Sequence, residues 1–200
     1  MKLYYSPEAC SLAPHIVLRE LDIPFQLVRV DHPTKTTSEG DNYLDISPCG
    51  YVAALRLDDG RVLTEGSAIL EYLADLKPNA GLAPAADSWE RVRLRERLSF
   101  LSCELNSTMN PLFKDAIPDE VKALFRERLF KRLDLLDREL NDQTYQLENR
   151  YSVADAYLFT LLSWLRWFSI GFERWPALAL FQERVGQRPA VKAALIAELE

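Results

Sequence analysis

Lys2-Leu-Tyr-Tyr-Ser-Pro-Glu-Ala-Cys10-Ser11-Leu-Ala-Pro14 is a strand that runs into a turn and then into a helix beginning beside a cysteine. Leu3, Tyr4 and Tyr5 favour a strand, Pro7 stops it, and Cys10 to Leu21 has the Ala, Leu, Arg and Glu content of a helix. Pro14 is compatible with that helix only in its first turn, where the missing N–H had no intrahelical partner to lose. Cys10 and Ser11 therefore stand at the helix N-terminus. Unpaired N–H groups and the positive end of the helix dipole stabilise a thiolate there, so Cys10 is expected to ionise below the free-thiol value of about 8.5. The bland alternative is a half-buried cysteine with no chemical part.

Outward from this junction, Pro24 to Val30 reads as a second strand, completing a parallel β-α-β unit. His32 to Asn42 has the composition of a loop and carries Lys35 as its only cation. Tyr43 to Ile46 forms a helical turn ended by Ser47-Pro48. Tyr51 to Leu57 and Arg61 to Leu63 are short strands joined by Asp58-Asp59-Gly60, a strong hairpin signal. A helix then runs from Glu65 through Lys77 with Ile69, Leu70, Leu73 and Leu76 on one side. Its opening, Thr64-Glu65-Gly66-Ser67, presents free N–H groups suited to a carboxylate, although an ordinary capped helix reads the same way. Residues 1–77 are thus expected to form a compact mixed sheet with helices, the size of a thioredoxin-like domain, in which Cys10 faces the backbone near Val52.

Pro78, Gly81 and Pro84 in the aperiodic stretch 78–86 mark a linker, and 87–200 is expected to be an all-helical domain. Leu94, Leu98, Leu101, Leu105, Met109 and Leu112 recur at helical spacing, as do Val121, Phe125, Leu129, Leu133, Leu136 and Leu140, which predicts two long amphipathic helices. Ser99, Cys103, Glu104 and Asn106 lie on the first. Ser152-Val-Ala-Asp155 opens a further helix as a capping box, and apolar residues on more than one of its faces make it the expected core of the helical domain. Trp164, Trp167, Phe168, Phe172 and Trp175 read as packing aromatics. Two shorter helices, Ala177 to Gly186 and Ala190 to Leu199, are split by Arg188-Pro189.

Composition narrows the function classes. The 200 residues are 48% hydrophobic and 27% charged, enough for a sizeable core. A net charge of −6 without any basic run argues against a nucleic-acid partner. Residues 1–77 hold 7 Lys/Arg against 12 Asp/Glu, so an anionic ligand there depends on helix N-termini and a few cations. Cys10, Cys49 and Cys103 are odd in number with no C-x-x-C pair, so neither a disulfide framework nor a dithiol motif is indicated. His15 and His32 are the only histidines, and no metal site is expected. No signal peptide is visible, and Ala154 to Phe172 is interrupted by Asp155, Ser163, Arg166 and Ser169, so the expectation is no membrane span and a cytoplasmic location.

Five stretches carry a resemblance: Lys2 through Glu20, Leu55-Arg-Leu-Asp-Asp-Gly60, Leu63-Thr-Glu-Gly-Ser-Ala-Ile69, Tyr72-Leu-Ala-Asp75 and Val153-Ala-Asp-Ala-Tyr-Leu-Phe159. Together, over essentially the whole chain, they are similar to bacterial glutathione transferases of the beta class. The resemblance implies a thioredoxin-like α/β domain joined to an all-helical domain, usually as a homodimer. It also implies an enzyme whose stabilised glutathione thiolate conjugates or reduces a small hydrophobic electrophile, with glutathione as co-substrate and no metal. Cys10 would contact or bond the glutathione sulfur, with Tyr5 and Ser11 nearby. Lys35 would meet the glycyl carboxylate, Val52 would pair its backbone with the tripeptide, and Glu65 with Gly66 would hold the γ-glutamyl end. Ser99, Cys103, Glu104 and Asn106 would complete the site, partly from the neighbouring subunit.

The family usually has glycine at position 8, lysine at 49, proline at 53, asparagine at 99, and histidine then lysine at 106 and 107, where this chain has Glu8, Cys49, Ala53, Ser99, Asn106 and Ser107. Two readings follow. Retention of Cys10, Ser11, Lys35 and Glu65 favours a glutathione-dependent enzyme, whereas Ala53 and Asn106 favour a non-catalytic ligand-binding or interaction protein of the same fold. The family's proline follows a cis peptide bond. Before alanine the cis form costs roughly 2.5–4 kcal/mol, so the Val52–Ala53 bond is expected to be trans.

Overall fold

A computed structural model describes residues 1–147 and 149–199. They fall into two compact units, Met1–Ala83 together with the segment from Gln187 onward, and Pro84–Gly186.

The first unit is built on five strands: β1 (Lys2–Tyr5), β2 (Gln26–Asp31), β3 (Thr36–Thr37), β4 (Ala54–Arg56) and β5 (Val62–Thr64), in the order β3-β2-β1-β4-β5. β1 and β2 are parallel, with Leu3 opposite Leu27, and are connected through α1 (Leu12–Glu20); the other pairs are antiparallel. β2 begins at Gln26, whose N–H donates to the Met1 carbonyl at 3.0 Å, two residues after Pro24, which has no N–H to add to a ladder. β3 lies inside the stretch expected to be loop, with Thr36 and Thr37 pairing Asp31 and Val30. The hairpin forms as read: Leu57 N–H donates to the Arg61 carbonyl at 2.8 Å, and Gly60 supplies the left-handed φ of +89° at the turn. Leu3 and Leu55 of the sheet are buried, as are Leu12, Ile16, Val17 and Leu18 of α1 and Ile69, Leu70 and Leu73 of α2 (Gly66–Leu76), while Tyr4, Val28 and Ala54 belong to a separate buried cluster with Val30, Tyr43 and Ile46.

The chain's last helix belongs to this unit, although it was expected within a helical domain of 87–200. It packs on α1 and has a polar seam at its ends. Arg188, just before it, grips Glu20 through two bonds of 2.5 and 2.9 Å. At the far end, Glu198 accepts the Glu8 N–H at 3.0 Å and lies 2.9 Å from His15 Nδ1. Arg19 Nε donates to His15 Nε2 at 2.8 Å. A guanidinium only donates, so His15 carries its proton on Nδ1 and gives that hydrogen bond to Glu198. His15 and Glu198 are 0% and 4% exposed, which makes these bonds costly to break.

In the second unit, α3 (Trp89–Phe100) widens into a π-helical segment, Leu101–Asn106, followed by the short α4 (Ser107–Met109). The long first helix expected from leucine spacing is therefore not uniform. The hydroxyls of Ser107 and Thr108 donate to the carbonyls of Cys103 and Glu104, back-bonds that compete with the regular ladder. α6 (Val153–Ser163) packs against α3, the π-helical segment and α7 (Pro176–Gly186) and is buried from Val153 to Leu162, while α5 (Asp119–Asp142) packs against α4 and α7. The α6 capping box is present: Asp155 accepts the Ser152 N–H at 2.7 Å, the Ser152 hydroxyl at 2.9 Å and the Gln146 N–H at 2.7 Å. Burial nonetheless pushes this carboxyl up to about 6. Among the described residues, no helix is long and apolar enough to cross a membrane.

α8, the terminal helix Pro189–Leu199, thus holds the turn before Cys10 from the other end of the sequence. Glu198→Ala removes the carboxylate that accepts the Glu8 N–H and the His15 Nδ1–H. At about 1–3 kcal/mol per buried unsatisfied group, urea unfolding should show a loss of about 2–4 kcal/mol, with a smaller loss for Glu198→Gln. A loss for Glu198→Ala within measurement error would show that α8 does not hold the turn.

Candidate functional site

The site forms where the turn Ser6 to Ser11 meets the loop that leads into β4. Ser6 Oγ donates to the Val30 carbonyl at 2.8 Å, tying the turn to the end of β2. Ser11 Oγ donates to the Ser6 carbonyl at 3.2 Å and accepts the Ser6 N–H at 3.3 Å. Ser11 is buried, so its hydroxyl braces the turn, while its backbone N–H is the group that reaches the Cys10 sulfur. It is also the residue preceding α1, which places Cys10 one position ahead of the helix cap. Glu8 has φ +60°, a left-handed conformation that glycine adopts without steric cost and that other residues adopt at about 1–2 kcal/mol.

Across from the turn, the Tyr43 hydroxyl donates to the Tyr51 carbonyl at 2.9 Å and Ser47 Oγ donates to the same oxygen at 3.3 Å. The next carbonyl, that of Val52, accepts the Cys10 thiol at 2.8 Å. Val52 itself packs on a buried cluster of Tyr4, Val28, Val30, Tyr43, Ile46 and Ala54. The Val52–Ala53 bond is cis, which overturns the expectation of trans. The groups that fix this loop come from outside it: two hydroxyls, one thiol and the apolar seat beneath Val52.

The second correction concerns Cys10. Removal from water pushes its thiol up to about 11, against the opposing pull of the N–H groups of Cys10, Ala53 and Ser11, and the Glu65 charge adds to the rise. The helix-start donors are present as the sequence suggested, but desolvation outweighs them. Cys10 is a neutral thiol donating a hydrogen bond.

The other expected residues of this unit are placed as follows. Tyr5 ends β1, buried, with its phenol pKa raised by desolvation and its ring 6.5 Å from that of His15. Lys35 Nζ donates to the Gly50 carbonyl at 2.8 Å and so meets the same loop that carries Val52. Gly50 has φ +68°, and a Cβ there would lie 3.2 Å from Lys35 Cε, so glycine both makes the bend and leaves room for the lysine stem. Glu65 is exposed, precedes α2 with φ +67°, and accepts the Ile69 N–H at 3.0 Å through its carbonyl. The space over Gly66 is open.

Four expected residues lie in the helical unit. Ser99 is exposed on α3, and Cys103 is exposed on the π-helical segment. Glu104 accepts from Arg132 Nη2 at 2.6 Å and Arg128 Nη2 at 2.9 Å, bonds that hold its carboxyl below the usual range. Asn106 Nδ2 donates to the Tyr157 hydroxyl at 3.3 Å. Among the described residues, no group of three or more His, Cys, Asp or Glu side chains is arranged to hold a metal ion. Sequence reading missed Tyr43, Ser47 and Gly50. The turn signal at Ser47-Pro48 marked their neighbourhood but not their bonds to residues 51 and 35.

Comparison with known proteins agrees with this architecture. Residues 9–76 match the family model of the glutathione S-transferase N-terminal domain, and residues 100–189 that of the C-terminal domain. The chain is 42% identical over 198 residues to glutathione S-transferase GstA of Escherichia coli O157:H7, covering 99% of this chain and 98% of that one. It superposes on BphK, a bacterial GST solved as a ternary complex, with TM-score 0.99 and 50% identity, 100% of each chain being covered. A sphingomonad glutathione S-transferase complexed with glutathione gives TM-score 0.97 and 47% identity over 99% of this chain and 98% of that one.

With Cys49 and Cys103 changed to serine, the rate of Cys10 alkylation should rise with pH toward a midpoint near 11. A Cys10 that reacts fast at neutral pH, with a midpoint below the ordinary thiol value of 9.0, would contradict the balance of desolvation over N–H donation.

Proposed function

Because the chain belongs to the glutathione S-transferase family, we propose that it binds glutathione along the Val52 loop and directs the tripeptide's thiolate at a small hydrophobic electrophile. The observation that carries this reading is the pinned Val52 carbonyl with the Cys10 thiol directly on it. Val52 lies two residues before β4, where an extended peptide can pair with free backbone groups. Cys10, protonated at neutral pH, turns its single S–H from the Val52 carbonyl to the glutathione sulfur on binding, which frees that carbonyl for the tripeptide and stabilises the negative charge on the bound sulfur. The nucleophile is the glutathione sulfur. It forms a bond to the electrophilic carbon while the leaving group departs with the bonding pair, and the thiol proton passes to solvent. With a disulfide substrate the same sulfur attacks one of the two sulfurs and forms a mixed disulfide while the other leaves as a thiolate.

Lys35 takes the glycyl carboxylate in this reading. The Glu65 carboxylate meets the γ-glutamyl ammonium, and the N–H groups at the start of α2, at Gly66, meet the neighbouring carboxylate. Exposed Trp89 and Val92 at the start of α3 support a homodimer, in which Ser99, Cys103, Glu104 and Asn106 complete the site, partly from the neighbouring subunit. We place the protein in the cytoplasm on the same reading. One observation favours the non-catalytic alternative, namely that the Cys10 thiol is already engaged by Val52.

Conjugation of glutathione to an activated chloroarene and its reaction with a small disulfide separate the two. The enzyme reading predicts turnover above the uncatalysed rate. Cys10→Ser should retain more activity than Cys10→Ala, whose loss of a hydrogen bond to a charged sulfur corresponds to about a tenfold or larger drop. Saturable glutathione binding without turnover would instead support the non-catalytic reading.

A further inference from the structure

Three successive carbonyls in the loop before β4 are held by side chains. Lys35 Nζ donates to that of Gly50 at 2.8 Å, the Tyr43 hydroxyl and Ser47 Oγ to that of Tyr51 at 2.9 and 3.3 Å, and the Cys10 thiol to that of Val52 at 2.8 Å. The middle one differs from its neighbours. A carbonyl oxygen has two lone pairs, and at Tyr51 both are taken. Each hydroxyl has a single O–H, so neither has a donor left for any other group. Both side chains are buried, and the Ser47 N–H donates to the Tyr43 carbonyl at 2.8 Å, which joins the two residues through one helical turn. Burial pushes the Tyr43 phenol up to about 12, so it remains a donor at neutral pH.

What these bonds fix is the other end of the same peptide group. The Tyr51–Val52 bond is trans, and in a planar trans peptide the C=O and the N–H point in opposite directions. The Tyr51 carbonyl points at Tyr43, a member of the buried cluster beneath the loop, so the Val52 N–H points away from that cluster. It has no hydrogen-bond partner among the described residues, whereas the next N–H, that of Ala53, reaches the Cys10 sulfur. We propose that Tyr43 and Ser47 are positioning residues for glutathione, which aim the Val52 N–H at a carbonyl of the tripeptide without touching it. This inference rests on the glutathione reading above. Gly50, at φ +68°, leads into this peptide group and gives its plane freedom to turn if the two hydroxyls are removed. Holding the plane before the ligand arrives lowers the entropic cost of binding. The effect belongs to binding and not to the bond-making step, because both hydroxyls are spent on Tyr51.

Tyr43→Phe and Ser47→Ala each remove one hydroxyl and keep most of the packing. Calorimetry with glutathione, and KM and kcat in the chloroarene conjugation, compare them with the unaltered protein. Tyr43→Phe should raise Kd and KM for glutathione about threefold to tenfold, the effect of one hydrogen bond, and Ser47→Ala, with the longer bond, by less. At saturating glutathione kcat should stay within about twofold. Undiminished affinity in both folded variants, or a fall in kcat with KM unchanged, would overturn the assignment. Hydrogen exchange of the Val52 amide gives a readout that a merely structural role would not move. In the unaltered protein it should be fast without glutathione and slowed about tenfold or more with it, and the slowing should be smaller in Tyr43→Phe. An amide already protected in the free protein, or slowed equally in both proteins at saturation, would count against the proposal. If Tyr43→Phe does not fold, Ser47→Ala and the unaltered protein's amide decide. Glutathione binding that leaves the Val52 amide unprotected would sink this inference alone, whereas no binding to the unaltered protein would end the glutathione reading and this inference with it.

Discussion

The hydrogen bond from the Cys10 thiol to the Val52 carbonyl is the contact on which the sheet unit's chemistry depends, because each side of it is separately fixed. On one side, Tyr43 and Ser47 hold the preceding carbonyl and an apolar cluster seats the Val52 side chain. On the other, Ser6 is tied to Val30, Ser11 closes the turn, and Glu198 holds the backbone at Glu8. None of these bonds involves a reacting atom. Their common effect is to bring a sulfur and a peptide carbonyl to 2.8 Å with little freedom in either.

That geometry decides what Cys10 does. Three N–H groups favour its thiolate and desolvation favours its thiol, and desolvation wins. A protonated cysteine is a hydrogen-bond donor rather than an attacking group, which is the part the proposed function gives it. The same balance explains why Ala53 in place of proline is not simply a loss. Alanine has the backbone N–H that proline lacks, and here that N–H is one of the groups favouring negative charge on the sulfur.

Much of the fold was legible because it is encoded locally. Proline and glycine punctuation located the β-α-β unit and the hairpin, and the Ser152/Asp155 capping box announced α6. What escaped was long-range or depended on burial. Glu198 is 183 residues from His15, and nothing near either one names the other. Leucine spacing reads straight through Leu101–Asn106, because Leu101 and Leu105 keep the apolar spacing while the Ser107 and Thr108 back-bonds that accompany the π-helical widening lie off that pattern. The partners of this loop, Tyr43, Ser47 and Cys10, escaped because they lie outside the segment that they bond. The pKa of Cys10 escaped because sequence locates the donors around a thiol but not how much water is removed from it. Glu104, expected at a ligand, instead has its carboxylate engaged by Arg128 and Arg132, a pairing across α5 that no local pattern displays.

The central claim, that glutathione lies along the Val52 loop against Cys10, is tested most directly by titrating glutathione into uniformly nitrogen-15-labelled protein and following the backbone amides. The amides of Cys10, Ser11, Val52, Ala53 and Gly66 should shift together as one saturable set at one tripeptide per chain. Saturable shifts elsewhere that leave these five unmoved would contradict the account.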